Sequence, residues 1–179
     1  MRFRVKTENI ENEPGTWCSQ KVTVMDILAK DCDVGEYVRN YPVLYNTFCP
    51  FEKDGRWYAL YSKEYTATRV MTLPECEDIG GEEAHPVGFC PVDYYVPHQE
   101  NPTVAFVSGC IWGDDTSWKI QVLDISDIAN GNIVRKNVIP TAEYCGDSEL
   151  KDVVTYWEDS GLIEFPMIGM YQMGNDDEV

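Results

Sequence analysis

From Val104 to Trp112 apolar residues fall at nearly every position, the pattern of a strand covered on both faces. The segment Gly113-Asp114-Asp115-Thr116-Ser117 then supplies turn formers whose side chains bond their own backbone. Beyond it the pattern resumes with a period of two. Trp118, Ile120 and Val122 fall on one face, Lys119 and Gln121 on the other, so Val104–Ser126 reads as a hairpin.

The same alternation marks other strands. Phe3 and Val5 open a first one. Lys21 to Ile27 is β-branched and alternating, and Gly35 to Arg39 reads as its antiparallel partner. Asp54-Gly55 is a tight-turn signal between the aromatic stretch ending at Phe51 and a strand starting at Trp57. From Pro74 to Pro102 the chain is rich in Pro, Gly and acids, with apolar residues at Val87, Phe89, Val92 and Tyr94 to Val96. It reads as one long ordered loop. Asp147 is placed to cap a short helix carrying Leu150, Val153, Val154 and Trp157, although the β-branched content suits a strand equally. Gly161 to Phe165 reads as a last strand, and the acidic end 174–179 as a frayed tail.

Two of these strands repeat each other. KVTVMDI from Lys21 and KIQVLDI from Lys119 share Lys, Val, Asp and Ile at the same places. Each is followed by Gly-x-x-Val-Arg, at Gly35 and at Gly131. A looser third copy runs through Trp57–Ser62 and Thr68–Met71. A strand, a short loop and a returning strand with this spacing resembles part of a β-propeller blade, which implies stacked antiparallel meanders. The expected fold class is therefore mainly β. It is a single domain over 1–179, built of antiparallel meanders with propeller-blade-like repeats or as a sandwich, with one long ordered loop and one short helix.

Composition narrows the function. With 31 Asp+Glu against 14 Lys+Arg the formal charge is −17, which opposes direct binding to nucleic acid or to an anionic membrane and suits solubility, cation binding or a basic partner, a solvated surface being the plainest reading. The seven cysteines are odd in number and include no C-x-x-C pair. The N-terminus has no apolar run of signal-peptide type, so the thiols are expected reduced and the protein cytoplasmic. No phosphate-loop, dinucleotide, zincin or serine-hydrolase motif occurs.

Two constellations carry chemistry. At the hairpin tip, the acids Asp114 and Asp115 lie between the indoles of Trp112 and Trp118, which suits a ring-bearing ligand. The competing reading is turn bonding for the acids and core packing for the rings. In the long stretch, Cys76, His85, Cys90 and His98 offer thiolates and imidazoles of the kind that hold zinc. Their spacings of eight, four and seven intervening residues match no standard zinc pattern, and buried thiols with hydrogen-bonded histidines are the plainer reading. Activation of Cys76, Cys90 or Cys110 by either histidine lacks a supporting signature. The first expectation is a non-catalytic binding or interaction module without a cofactor. The alternatives are a hydrolase using a divalent metal with the loop histidines and acids, and an acidic competitor that occupies a nucleic-acid-binding partner.

Overall fold

The computed structural model describes residues 1–10, 19–39, 47–63, 67–82, 89–98, 100–111 and 118–140. These form three antiparallel sheets and almost no helix. Sheet A contains β1 (Phe3–Ile10), β2 (Ser19–Asp26) and β3 (Asp33–Arg39). Sheet B contains β4 (Phe48–Lys53), β5 (Arg56–Tyr61), β6 (Arg69–Leu73) and β7 (Asp78–Gly81). Sheet C contains β8 (Phe89–Tyr95), β9 (Val104–Ile111), β10 (Trp118–Asp124) and β11 (Val134–Pro140). Each is a meander whose strands lie in chain order. The first strands neighbour one another, β1 against β4 and β4 against β8.

Sheet B lies between the other two, and its side chains divide by the period of two. In β5, Ala59 and Tyr61 face sheet A, where they pack with Phe3, Val22, Val24 and Tyr37. Tyr58 and Leu60 face the other way, onto Tyr94, Ala105, Val107 and Leu123 of sheet C. The division continues through the register, since Phe51 stands opposite Tyr58 and Val70 opposite Leu60. Rings lock the seams: Phe3 meets Trp57 edge-on at 5.3 Å, and Tyr37 meets Tyr61 at 4.9 Å.

The outer face of sheet A is solvated. Arg4, Lys6, Glu8 and Glu36 lie exposed there, and Lys6–Asp33 and Lys21–Glu36 ion pairs cross it. Sheet C differs. Phe106, Ile120 and Val122 are fully buried on its face away from sheet B, so β9 is covered on both sides, as its sequence predicts. The alternation of β10 misleads in one respect. Gln121 shares the sheet B side with Leu123 and is buried, with Nε2 lacking a hydrogen-bond partner among the described residues, so its polar residue marks a second covered face rather than solvent.

The two sequence copies agree in structure only in their first halves. β2 and β10 each carry an irregularity at the same repeat position, Val24/Met25 and Val122/Leu123. The Gly-x-x-Val-Arg halves do not superpose in register. Gly35 lies inside β3 opposite Val24, whereas Gly131 ends a 3₁₀ turn (Ile128–Asn130) before β11 begins. Val38 therefore pairs with Lys21, but Val134 pairs with Asp124.

The stretch from Pro74 to Pro102 contributes β7 and β8 rather than running wholly as loop. Pro91 fits because β8 is the end strand of its sheet, and Pro50 is placed in the same way in β4. Asp54 and Gly55 both have positive φ, 52° and 72°, and close the two-residue β4–β5 turn that their sequence predicts. The helix expected from Asp147, the final strand and the acidic tail lie outside the described residues.

Sheets B and C also meet through bare backbone. Gly80 in β7 lies against Gly131, and a Cβ on Gly80 would stand 2.5 Å from the Gly131 carbonyl oxygen. A Cβ on Gly131, whose φ is 75°, would strike the Ile79 carbonyl. By contrast, Gly55 also has positive φ but faces open space. Gly131→Ala is therefore expected to destabilise by about 2–4 kcal/mol, strain plus clash, against about 1 kcal/mol for Gly55→Ala, strain alone. Urea unfolding midpoints of the two variants test this, and equal losses would show that the backbone contact contributes nothing.

Candidate functional site

The most heavily bonded polar centre among the described residues is the Asp78 carboxylate at the start of β7. Its neighbours arrive by strand register. Tyr61 ends β5, Arg69 begins β6 directly opposite, and Asp78 pairs with Met71 on the next strand. Lys63 follows β5 by two residues. All four side chains gather on one side of sheet B. Asp78 Oδ2 accepts from the Tyr61 hydroxyl at 2.6 Å, Lys63 Nζ at 3.2 Å and Arg69 Nε at 3.3 Å. Oδ1 accepts from Arg69 Nη2 at 2.6 Å and from the Gly80 amide at 3.2 Å. Lys63 also stands 5.7 Å from the centre of the Tyr61 ring.

Burial alone would raise the Asp78 pKa, but the hydrogen bonds from Arg69, Tyr61 and Lys63 outweigh it and hold the group at about 2. The Tyr61 hydroxyl moves upward, through burial first and then its bond to an anion, so it remains a donor and cannot serve as a base near neutrality. Two cations share one carboxylate, so the three side chains together carry a net charge of +1. Chemically this centre joins three strands and holds two cations at fixed positions.

Among the described residues, Arg2–Asp26, Lys6–Asp33 and Lys21–Glu36 each join one cation to one carboxylate. Arg2 grips the buried Asp26 carboxylate with Nε and Nη2, and the Leu28 amide adds a bond. The Arg2 hydrogen bonds lower the Asp26 pKa despite its burial. Asp127 accepts from the side chains of Asn130 and Asn132, which tie the 3₁₀ turn together. Lys53 is buried and donates to the Pro102 carbonyl at 3.0 Å, bracing the β4–β5 hairpin against the segment before β9.

The sequence-predicted sites divide. Trp118 opens β10 opposite Cys110. Trp112, Asp114 and Asp115 lie outside the described residues, as does His85. Cys90 is in β8, and His98 is exposed beyond that strand's end. Cys76 follows β6 with a positive φ of 57°, donates Sγ–H to the Pro74 carbonyl at 3.4 Å and packs against Gly35 of β3. Among the described residues, no three His, Cys, Asp or Glu side chains come together as a metal site. The sequence around Asp78 does not mark this centre, because Asp78 stands in the acid-rich stretch that reads as a loop. The available signal was the hairpin register, which sets Arg69 opposite Tyr61.

Compared with protein-family models, with curated proteins and with solved structures, the chain matches none. The fold and site define a mainly β protein of three antiparallel meanders. No helix among the described residues is long and apolar enough to cross a membrane.

Two predictions follow from these environments. The Asp78 pKa is depressed from 3.8 to about 2, so its contribution is complete above pH 4 and is lost as pH falls through 2. Allowing for solvent at this partly exposed carboxylate, about 1–2 kcal/mol should disappear over that window. Asp78→Asn should flatten the slope of stability against pH between 4 and 2, and an unchanged slope would remove Asp78 from that role. Among the free thiols Cys32, Cys49 and Cys76, burial pushes Cys49 up to about 12 and Cys76 up to about 11, whereas Cys32 is exposed. Iodoacetamide at pH 8 should label Cys32 ahead of Cys49 and Cys76 in peptide maps of the native protein. Faster labelling of Cys76 would contradict its burial.

Proposed function

We propose that the protein is a non-catalytic binding module that engages a basic protein partner through its acidic exterior. The observation that carries this reading is how the cations are placed. Arg2, Lys6, Lys21, Lys63 and Arg69 are held by Asp26, Asp33, Glu36 and Asp78, so these five cations are answered by carboxylates of the same chain. With 31 acids and 14 bases, such pairing leaves an excess of unpaired carboxylates facing solvent. Exposed Glu8, Asp31, Glu52, Glu75, Glu77 and Glu100 are among them. Occupying a partner's nucleic-acid-binding face with carboxylates in place of phosphates is one form of this activity. The hairpin tip from Trp112 to Trp118 remains the proposed contact for an aromatic or apolar element of that partner. Free thiols at Cys32, Cys49 and Cys76 support a reducing, cytoplasmic location.

For the scaffold, we infer blade-like meanders in an open stack. The adjacency of the first strands β1, β4 and β8 supports blade-like units, and the charged outer face of sheet A supports an open end.

An oligolysine peptide titrated into isotopically labelled protein tests the function. Saturable chemical-shift changes confined to one contiguous surface, weakening steeply with added salt, are expected. Changes spread evenly over every acidic site, or none at all, would reject a specific basic partner.

A further inference from the structure

We propose that Arg69 and Lys63 form a binding site for a small oxyanion, a phosphate or carboxylate group, on the edge of sheet B. Three observations lead there.

The first is charge. Each of the pairs Arg2–Asp26, Lys6–Asp33 and Lys21–Glu36 is balanced, but Asp78 answers two cations at once. These three side chains together carry one net positive charge.

The second is geometry. Asp78 takes only one edge of the Arg69 guanidinium, Nε and Nη2. A guanidinium has a second edge, formed by Nη1 with Nη2, that presents parallel donors suited to two oxygens of one anion. Lys63 uses a single contact on Asp78 and has three N–H donors. The side chains of Arg69 and Lys63 are 36% and 39% exposed, so an anion in solution can reach both.

The third is preorganisation. Asp78 is itself pinned by the Gly80 amide and the Tyr61 hydroxyl, and Lys63 lies near the Tyr61 ring. The carboxylate therefore fixes the two cations in advance, which removes much of the ordering cost that long side chains otherwise incur on binding. In this arrangement Asp78 is a positioning residue, while Arg69 and Lys63 touch the ligand. The site is independent of the acidic exterior, so failure of the oligolysine experiment would leave it standing, and the reverse also holds.

The test is titration of the intact protein with inorganic phosphate, acetate and chloride at constant ionic strength, following the Arg69 Nε–Hε resonance. The expected result is a saturable shift with phosphate or acetate and none with chloride. The oxyanion that saturates at the lower concentration identifies the ligand class. Lys63→Met removes an exposed charge beyond the end of β5 and should leave the fold intact by circular dichroism. It is expected to weaken binding about tenfold, the effect of one charge-assisted hydrogen bond. Arg69→Met should abolish binding. Equal, non-saturating shifts with all three anions, or unchanged affinity in Lys63→Met, would overturn the proposal.

Discussion

Burial of sheet B on both faces is the constraint on which the described structure depends. A strand covered on one side needs only every second residue apolar, but β5 has to satisfy two cores at once. It does so with Ala59 and Tyr61 on one side and Tyr58 and Leu60 on the other. A slip of one residue in β5 would exchange these sets, placing the small Ala59 where Leu60 packs. The Asp54-Gly55 turn prevents this by fixing the pairing of Lys53 with Arg56. Local turn chemistry and global packing thus impose the same register, the kind of agreement that gives a chain a single native state.

Once register is fixed, polar contacts can be placed with similar economy. Tyr61 is both a core ring against Tyr37 and a donor to Asp78. Its ring belongs to the sheet A seam, while its hydroxyl reaches the rim where Arg69, Lys63 and Asp78 gather. On the opposite seam, Thr68 Oγ1 and the Tyr94 hydroxyl meet at 3.2 Å, so sheet C too is joined to sheet B by a hydroxyl among apolar groups. These bonds supply direction where hydrophobic packing supplies most of the driving force. The glycine contact between β7 and the β10–β11 connection works differently, since it depends on the absence of side chains.

Much of this fold was legible in the sequence because period-two patterns and turn residues are local signals. The strands at Phe3, Lys21, Gly35, Trp57, Val104 and Trp118, and the Asp54-Gly55 turn, are all of that kind. What escaped has a non-local cause. Gln121 alternates like a solvent-facing residue, yet a second layer covers its face. The Gly35 and Gly131 motifs match as letters, yet one glycine sits within a strand and the other beside Ile79 of another sheet. β7 and β8 were hidden among prolines and acids, because a proline is acceptable in an end strand and strand order is not written in composition. The Asp78 centre stayed hidden for the same reason. Its four members span Tyr61 to Asp78 and converge only through two strand pairings, so neither metal-type spacing nor a charge count could reveal it. The expected tip site, Trp112 to Trp118, rests on sequence alone.

The contrast between the Asp78 centre and the remaining surface has a physical consequence. In a chain of charge −17, 31 acids face 14 bases, an imbalance that favours any cation that approaches. Asp78 lies instead between two fixed cations, so it stays ionised to about pH 2 and holds both of them near the same edge. Were Asp78 neutral, Arg69 and Lys63 would repel each other and turn toward other acids. This partly exposed carboxylate therefore holds the two cations together without cancelling both. Strand register, rather than overall charge, decides which side chains meet at this edge.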